Sequence, residues 1–260
     1  MRAARKGPPP GSPVDLGQAI RTLRAHHGPP APPPASGPFE LILWENVAYL
    51  ASPDRRREAF DRLKREIGTS PAAILAADQE ALEAVTARGI LPRTFASKLR
   101  VCAEIALEKF GGNLAAAIQG SLDGAKRALR AFPSIGEPGA EKILLFCGKY
   151  PFLAPDSNGL RVLVRLGLAV EEKSYAKTYA AGKLAAETLP ARLTLFQEAH
   201  LLLQHHGQTL CRRHVPLCEI CPLAVGCAHA LQSGRFSLEP ASSGPRRRGH
   251  GKPRGARVMQ

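Results

Sequence analysis

The sequence predicts an all-α protein, and three observations carry that prediction. Ala, Leu, Arg, Lys and Glu, all strong helix formers, fill most of the middle of the 260-residue chain. Aromatic residues make up only 5% and β-branched runs are scarce, which disfavours strands. From Pro38 onward, helical patterns follow one another, most of them closed by Gly or Pro. A chain of this length, 44% hydrophobic and 22% charged, has room for a sizeable core in one large domain or two modest ones.

The first 37 residues contain GPPPGSP and GPPAPPPASGP, which cannot pack. Residues 1–37 are therefore expected to be a disordered, basic, Pro-rich arm, with one short amphipathic helix in VDLGQAIRTLRAHH. The folded part is expected to open at Pro38 with PFELILWENVAYLAS, a buried helix because nearly every residue is apolar. SPDRRREAFDRLKREIG comes next, with Ser52 as its cap and Pro53 at the first helical position. SPAAILAA, DQEALEAVTARG and PRTFASKLRVCAEIALEKFGG follow. NLAAAIQG and LDGAKRALRAF then lead into FPSIGEPGAEKILLFCG. After a turn at YPFLAPDSNG come LRVLVRLGL, YAKTYAAGKLAAETL and ARLTLFQEAHLLLQHHG. A cysteine segment follows. The folded unit is expected to span 38–232 and a disordered basic tail 233–260. No repeat of fixed period is present.

The net charge is +14, and its location says more than its size. Residues 1–38 carry five Lys/Arg and one acid, and residues 235–260 carry seven and one. Ten of the fourteen charges thus lie on the two ends, and four are left for the middle. Basic tails favour a polyanion, of which nucleic acid is the commonest in a cell, although a tail that only aids solubility has the same composition. No apolar stretch approaches the ~20 residues that span a bilayer, and MRAARKGPPPGSP lacks the hydrophobic core of a secretory signal. A cytoplasmic protein is expected, nucleoid-associated if bacterial. In that compartment its six cysteines do not form a disulfide framework.

Four of those cysteines, Cys211, Cys218, Cys221 and Cys227, fall at C-x6-C-x2-C-x5-C spacing. Four thiolates on so short a segment suit a compact site, with Pro216 and Pro222 stiffening the turns; chemistry alone permits Zn²⁺ or an iron–sulfur cluster. Cys102 and Cys147 sit in apolar helical contexts and read as core.

HHGQTLCRRHVPLCEICPLAVGC, residues 205–227, resembles the 4Fe–4S loop of endonuclease III and the adenine-specific mismatch glycosylases. The resemblance implies a 4Fe–4S cluster on the four cysteines. It further implies a basic loop offered to DNA, with Arg212, Arg213 and His214 as its charges.

A second landmark is FPSIGEPGAEKIL, residues 132–144. Helix, P-x-hydrophobic-G-x-x-G, helix is the outline of a helix-hairpin-helix. Ile135, Gly136 and Gly139 bring backbone N–H groups toward a phosphate at a helix N-terminus, with Lys142 one turn further on. Alone, such a stretch reads first as a plain turn between helices. Followed by the cysteine loop, it reads as a hairpin that holds DNA without reading sequence.

In the resembling family an Asp follows the hairpin's second helix, in a stretch similar to V-D-T-H-x-x-R-V. APDSNGLRVLVRLGL puts Asp156 there. A carboxylate facing the sugar stabilises the positive charge of glycosidic cleavage or orients water, while a plain helix cap is the structural alternative. Glu45 is the only acid between Leu41 and Ser52 in a nearly apolar helix. Burial there would raise its pKa and make it a proton donor near neutral pH. Aligned from Pro38, it matches the Glu with which the adenine glycosylase branch protonates its flipped base; a surface Glu bonded to Asn46 is the alternative.

Two departures from the pattern matter. Pro138 stands where bifunctional members carry the Schiff-base lysine, Ser134 where a Gly is usual, and Glu137 where a basic residue is common. Tyr49, Leu50 and Ala51 replace the family's Gln-rich wedge. The resemblance, over roughly residues 38–228, implies two interleaved subdomains: a helical barrel with the hairpin, and a cluster domain joining the first helix to the last ones. It implies a monomeric base-excision DNA glycosylase acting on a damaged or mismatched base in double-stranded DNA, with little lyase activity. A bifunctional enzyme using a relocated lysine and a non-catalytic damage-binding protein are the rivals.

Overall fold

The computed structural model describes residues 14–234, and the expectations for residues 1–13 and 235–260 lie outside them. Within the described residues every regular element is helical. The first element corrects an expectation. VDLGQAIRTLRAHH forms α1 (Leu16–His27), capped by the Asp15 carboxylate, which accepts from the Gln18 N–H at 2.7 Å. Leu16, Ala19, Ile20 and Leu23, spaced as one helical stripe, are all buried. Residues 14–27 are therefore part of the folded unit, not an unpacked arm. The stripe outweighs its Pro-rich flanks because burying a Leu or Ile contributes roughly 2 kcal/mol. The Pro-rich link that follows is also tied down: Arg57 and Lys64 donate to the carbonyls of Pro32 and Pro34 at 3.1 and 2.9 Å.

The expected buried helix appears as α2 (Gly37–Asn46) but stops earlier than its apolar run. Asn46, fully buried, donates to the Ile42 and Pro133 carbonyls, and the chain then turns, with Leu50 in the left-handed region at φ 53°. α3 (Pro53–Glu66) has the expected Ser52 cap and leading proline. α4 (Pro71–Ala76), α5 (Gln79–Thr86) and the long α6 (Pro92–Phe110) complete a layer around Phe60, Leu63, Ile74, Leu82 and Leu99. A short α7 (Leu114–Ala117), α8 (Leu122–Arg130) and α9 (Glu137–Phe146) pack with α2 and α6 around Cys102, Leu129, Phe132 and Leu144. Cys102 is core, as expected, and burial pushes its thiol up to about 12.

The second half is α10 (Ser157–Leu166), α11 (Tyr175–Leu184), α12 (Leu193–Thr209) and α13 (Ala228–Gln232), with two 3₁₀ turns, Cys218–Ile220 and Ala224–Gly226, in the cysteine loop. Its core joins α1 to these last helices through Leu23, Leu163, Phe196, Leu203 and Leu223. The chain thus closes its first helix onto its last ones, and the two-subdomain, all-α expectation holds.

A buried carboxylate pins α9 to both halves. Glu141 accepts from Lys126 of α8 at 3.1 Å and from Lys183 and Tyr179 of α11 at 2.8 and 2.6 Å. Burial alone would raise its pKa, but Lys183, Tyr179 and Lys126 outweigh that and hold it low. Among the described residues no helix is long and apolar enough to cross a membrane.

Candidate active site and cysteine loop

Asp156 sits where the chain enters α10, and the helix-cap reading of it is realised. Its Oδ1 accepts from the backbone N–H groups of Asn158 and Gly159 at 2.9 and 2.8 Å, so it caps the helix. Its Oδ2 accepts from the side chains of Gln204, at 2.8 Å, and Asn158, at 3.2 Å. Burial pushes the carboxyl pKa up, but nearby His200, the Gln204 and Gly159 hydrogen bonds and Lys142 together hold it below the usual Asp range. Asp156 is an anion at neutral pH, kept in place on four sides.

Glu45 departs from its expectation. Its carboxylate meets the Lys142 ammonium at 2.5 Å, with side chains only 17% and 15% exposed. Burial does raise its pKa, but Lys142, Arg56 and His200 overcome that and the net direction is down. The proton donor near neutral pH is therefore corrected to a paired anion. The same contact corrects Lys142, whose amine turns inward to Glu45 and is not presented on the outer face of the hairpin. Asn46, the alternative partner of Glu45, bonds the Pro133 carbonyl instead.

His200 on α12 completes the group. It is buried, with Nδ1 2.6 Å from the Ala154 carbonyl and its ring edge-on to Phe146. Burial and Lys142 lower its pKa, while Asp156 and Glu45 pull the other way. Two carboxylates, one ammonium and one imidazole, from α2, α9, α10 and α12, thus act on one another in a single region. Sequence reasoning missed His200 and Gln204; their signal was a pair of polar residues four apart on an otherwise apolar stretch of α12.

The hairpin lies between α8 and α9. Ser134 takes φ 65°, the left-handed region, which is why a Gly would be usual there. Ile135 is buried beneath the turn, so any contact it makes to a phosphate is through backbone, not side chain. α9 starts after Gly136 with no side-chain cap and with Pro138 in its first turn. Glu137 at this mouth is neutralised by Lys126 and by Arg130 at 3.5 Å.

Beside the hairpin stand two strained, exposed leucines. Leu50 and Leu91 both adopt left-handed backbone, at φ 53° and 56°, and are 71% and 56% exposed. Their loops are bonded together, Ile90 N–H to the Tyr49 carbonyl at 3.0 Å, and only Gly89 fits against the Tyr49 backbone. Tyr49 stacks on Phe95, Lys98 lies over the same ring, and Lys98 donates to the Ser134 hydroxyl at 3.0 Å. The apolar edge and the hairpin are one surface.

The four loop cysteines line one pocket with Val162, Leu166, Leu210, Leu217 and Leu223. Among the described residues all six cysteines are outside disulfides, and no three His, Cys, Asp or Glu close on a single ion. Burial pushes the Cys221 thiol up to about 11. Arg161 and Arg165, one turn apart on α10, anchor the loop. Arg161 donates to the Gly207 and Cys211 carbonyls at 2.7 and 3.0 Å, and Arg165 to those of Arg212 and Arg213 at 2.6 and 2.9 Å. A Cβ on Gly207 would meet the Asn158 carbonyl oxygen at 2.6 Å, which is why the HHG stretch needs its glycine. Arg212, Arg213 and His214 are exposed, as a basic loop requires.

No family model matches the chain. A protein of Methanocaldococcus jannaschii described as "Putative DNA repair glycosylase MJ1434" is 24% identical over 195 residues, 75% of this chain and 87% of that protein. Among solved structures, a trapped endonuclease III–DNA covalent intermediate superposes with a TM-score of 0.67 at 18% identity, covering 85% of this chain and all of the other. A non-covalent endonuclease III–DNA complex gives 0.66 at 18% identity, covering 86% and 100%. The chain has the endonuclease III fold. A thermostable thymine-DNA glycosylase matches at 0.64 and 14% identity, over 84% of this chain and 97% of that one.

The endonuclease III fold brings the sequence-marked residues to two places. Glu45 and Lys142 pair between α2 and α9, and the Lys142 charge acts on Asp156 at the start of α10; Lys98 links the hairpin's Ser134 to the ring of Phe95, on which Tyr49 stacks. The four cysteines meet at the far end of α12. A set of four thiols around an apolar pocket fits an iron–sulfur cluster, whose ligands are thiolates in a largely desolvated setting.

Proposed function

We propose that this chain is a base-excision DNA glycosylase of the endonuclease III type that hydrolyses the N-glycosidic bond of a damaged or mismatched base. The observation that carries the reading is Asp156: a carboxylate held ionised by four hydrogen bonds in the endonuclease III fold. As the bond breaks, the sugar gains positive charge. A fixed anion in a site shielded from water stabilises that charge, or orients the attacking water. Its partners are already paired, so little reorganisation accompanies the reaction.

Double-stranded DNA is the proposed partner, with the target nucleotide flipped out of the stack. The uncapped start of α9 and the glycines Gly136 and Gly139 take a phosphate; Arg212 and Arg213 add charge from the cysteine loop. Leu50 and Leu91, exposed on strained backbone, are placed to fill the gap a flipped base leaves, as apolar wedges do elsewhere. Cys211, Cys218, Cys221 and Cys227 would hold a 4Fe–4S cluster, which supplies a structural clamp for the loop that bears Arg212 and Arg213. Endonuclease III and thymine-DNA glycosylase, its structural neighbours, support the same reading.

Pro138 has no amine, so lyase chemistry has no nucleophile at the hairpin. One observation favours a second reading. Lys142 lies among the same carboxylates, and with Glu45 as the acceptor of its proton it would be a relocated amine. Its 2.5 Å ion pair argues for the charged, non-nucleophilic form, and hydrolysis alone is the first reading. A panel of duplexes with uracil, oxidised pyrimidines, mismatched adenine, alkylated bases and abasic sites tests this, with base release and strand cleavage scored separately. Base release without a borohydride-trapped complex supports the hydrolase. A trapped complex that disappears in Lys142→Ala supports the bifunctional enzyme. Binding without any base release supports a damage-binding protein and removes the role of Asp156.

A further inference from the structure

The N-terminal helix ends in His26 and His27, and these meet His205 and His206 near the end of α12. Two contacts run in series from there to the cysteine pocket. His27 Nε2 is 3.2 Å from His206 Nδ1, and His206 Nε2 is 3.5 Å from the Cys221 sulfur. His206 is buried, at 1% exposure, and His27 is half-buried with its ring edge-on to both His26 and His205 at 4.7 Å. The row therefore leads from a cluster ligand to the protein surface through two imidazoles.

We propose that His27 is a positioning residue for the iron–sulfur cluster: through His206 it fixes a hydrogen bond to the Cys221 sulfur and thereby raises the cluster's reduction potential. This rests on the cluster reading of the four cysteines given above. The direction of each bond follows from the chemistry of the ligand. A cluster cysteine is a thiolate and only accepts, so His206 must carry its proton on Nε2. Its Nδ1 is then a lone pair and only accepts as well. The His27 nitrogen facing it, Nε2, must therefore donate. One bond on the surface side thus dictates the tautomer of the buried ring. Without His27, the proton of His206 is free to sit on Nδ1, and the sulfur loses its donor. Hydrogen bonds to cluster sulfurs withdraw charge and favour the reduced form, so losing one shifts the potential negative.

α1 is what brings this donor in. Its buried face, Leu16, Ile20 and Leu23, seats it among residues of α10 and α12, and Arg24 pairs with Glu198 at 2.8 Å on the same side. The helix is thereby part of the cluster's surroundings, although it lies some 180 residues from the first ligand in sequence.

The test uses the holoprotein purified anaerobically, with iron content measured first and the potential read by redox titration followed by electron paramagnetic resonance. His27→Leu and the ring-retaining His27→Phe are expected to keep about four irons per chain and to shift the potential negative. His27→Gln, which restores an N–H donor, is expected to return it toward wild type. His26→Leu, which alters the same patch but removes neither hydrogen bond of the row, is expected to leave it unchanged. A potential in His27→Phe equal to that of wild type, at full iron content, overturns the positioning role while leaving the cluster intact. Stoichiometric zinc and no iron in the wild type overturns the cluster reading itself, and the relay with it.

Discussion

At the residue scale, the site is governed by which charges are paired. The place of Asp156 as the cap of α10 was legible in the sequence because a helix start is a local signal. The pairing of Glu45 was not, because Lys142 lies 97 residues away and only the fold brings the two together at 2.5 Å. Sequence reasoning saw an apolar helix around Glu45 and inferred a raised pKa; the ammonium reverses the sign. Removing that ammonium should show its worth. Lys142→Met leaves a buried carboxylate uncompensated, and a loss of about 3 kcal/mol in urea unfolding is expected at pH 7. The loss should shrink as pH falls and Glu45 becomes neutral. A fully stable variant at pH 7 would mean that the pair is not formed in solution.

At the element scale, the helices announced by local signals are where the sequence put them. Ser52, Ser70 and Ser121 cap α3, α4 and α8 with the hydroxyls a reader of caps looks for. α1 was underread, because Pro-rich flanks drew attention from a four-residue stripe whose partner lies at the other end of the chain. Its docking is open to measurement: Leu23→Ala should cost about 3 kcal/mol, whereas an unpacked arm predicts no change. The left-handed leucines were also beyond local reading, since neither Leu50 nor Leu91 belongs to a residue type that favours such backbone. Asn tolerates it. Leu50→Asn and Leu91→Asn should leave the melting temperature unchanged or slightly raised, and weaken binding to a duplex with an abasic site more than to intact duplex. Equal weakening of both would remove the wedge role.

At the scale of the whole molecule, three ionised carboxylates shape how stability depends on pH, and one of them, Glu141, ties the two halves together. Glu45, Glu141 and Asp156 all have folded-state pKa values below the ordinary range. For such groups the unfolded chain binds protons first, so their stabilisation is complete above the unfolded pKa of about 4 and is lost as pH falls through the folded values. The protein should therefore hold its stability from neutral pH to about 5 and lose it steeply below about 4. Glu141→Gln should flatten that acid limb and lower stability at neutral pH, since Lys126 and Lys183 then lack their shared anion. An acid limb unchanged in Glu141→Gln would place the titrating groups elsewhere.

The central claim is that the charge of Asp156, not merely its capping of α10, drives base release. Asn and Asp cap helices about equally well, so Asp156→Asn keeps the bonds from the backbone N–H groups of Asn158 and Gly159 and removes the charge, together with the oxygen that accepts from the Gln204 and Asn158 side chains. The most direct measurement is single-turnover base release by this variant and by wild type, on the duplex of the panel that wild type processes fastest. The account predicts a folded variant that still binds DNA, with base release lower by about 10³-fold. Base release at the wild-type rate in Asp156→Asn would contradict it.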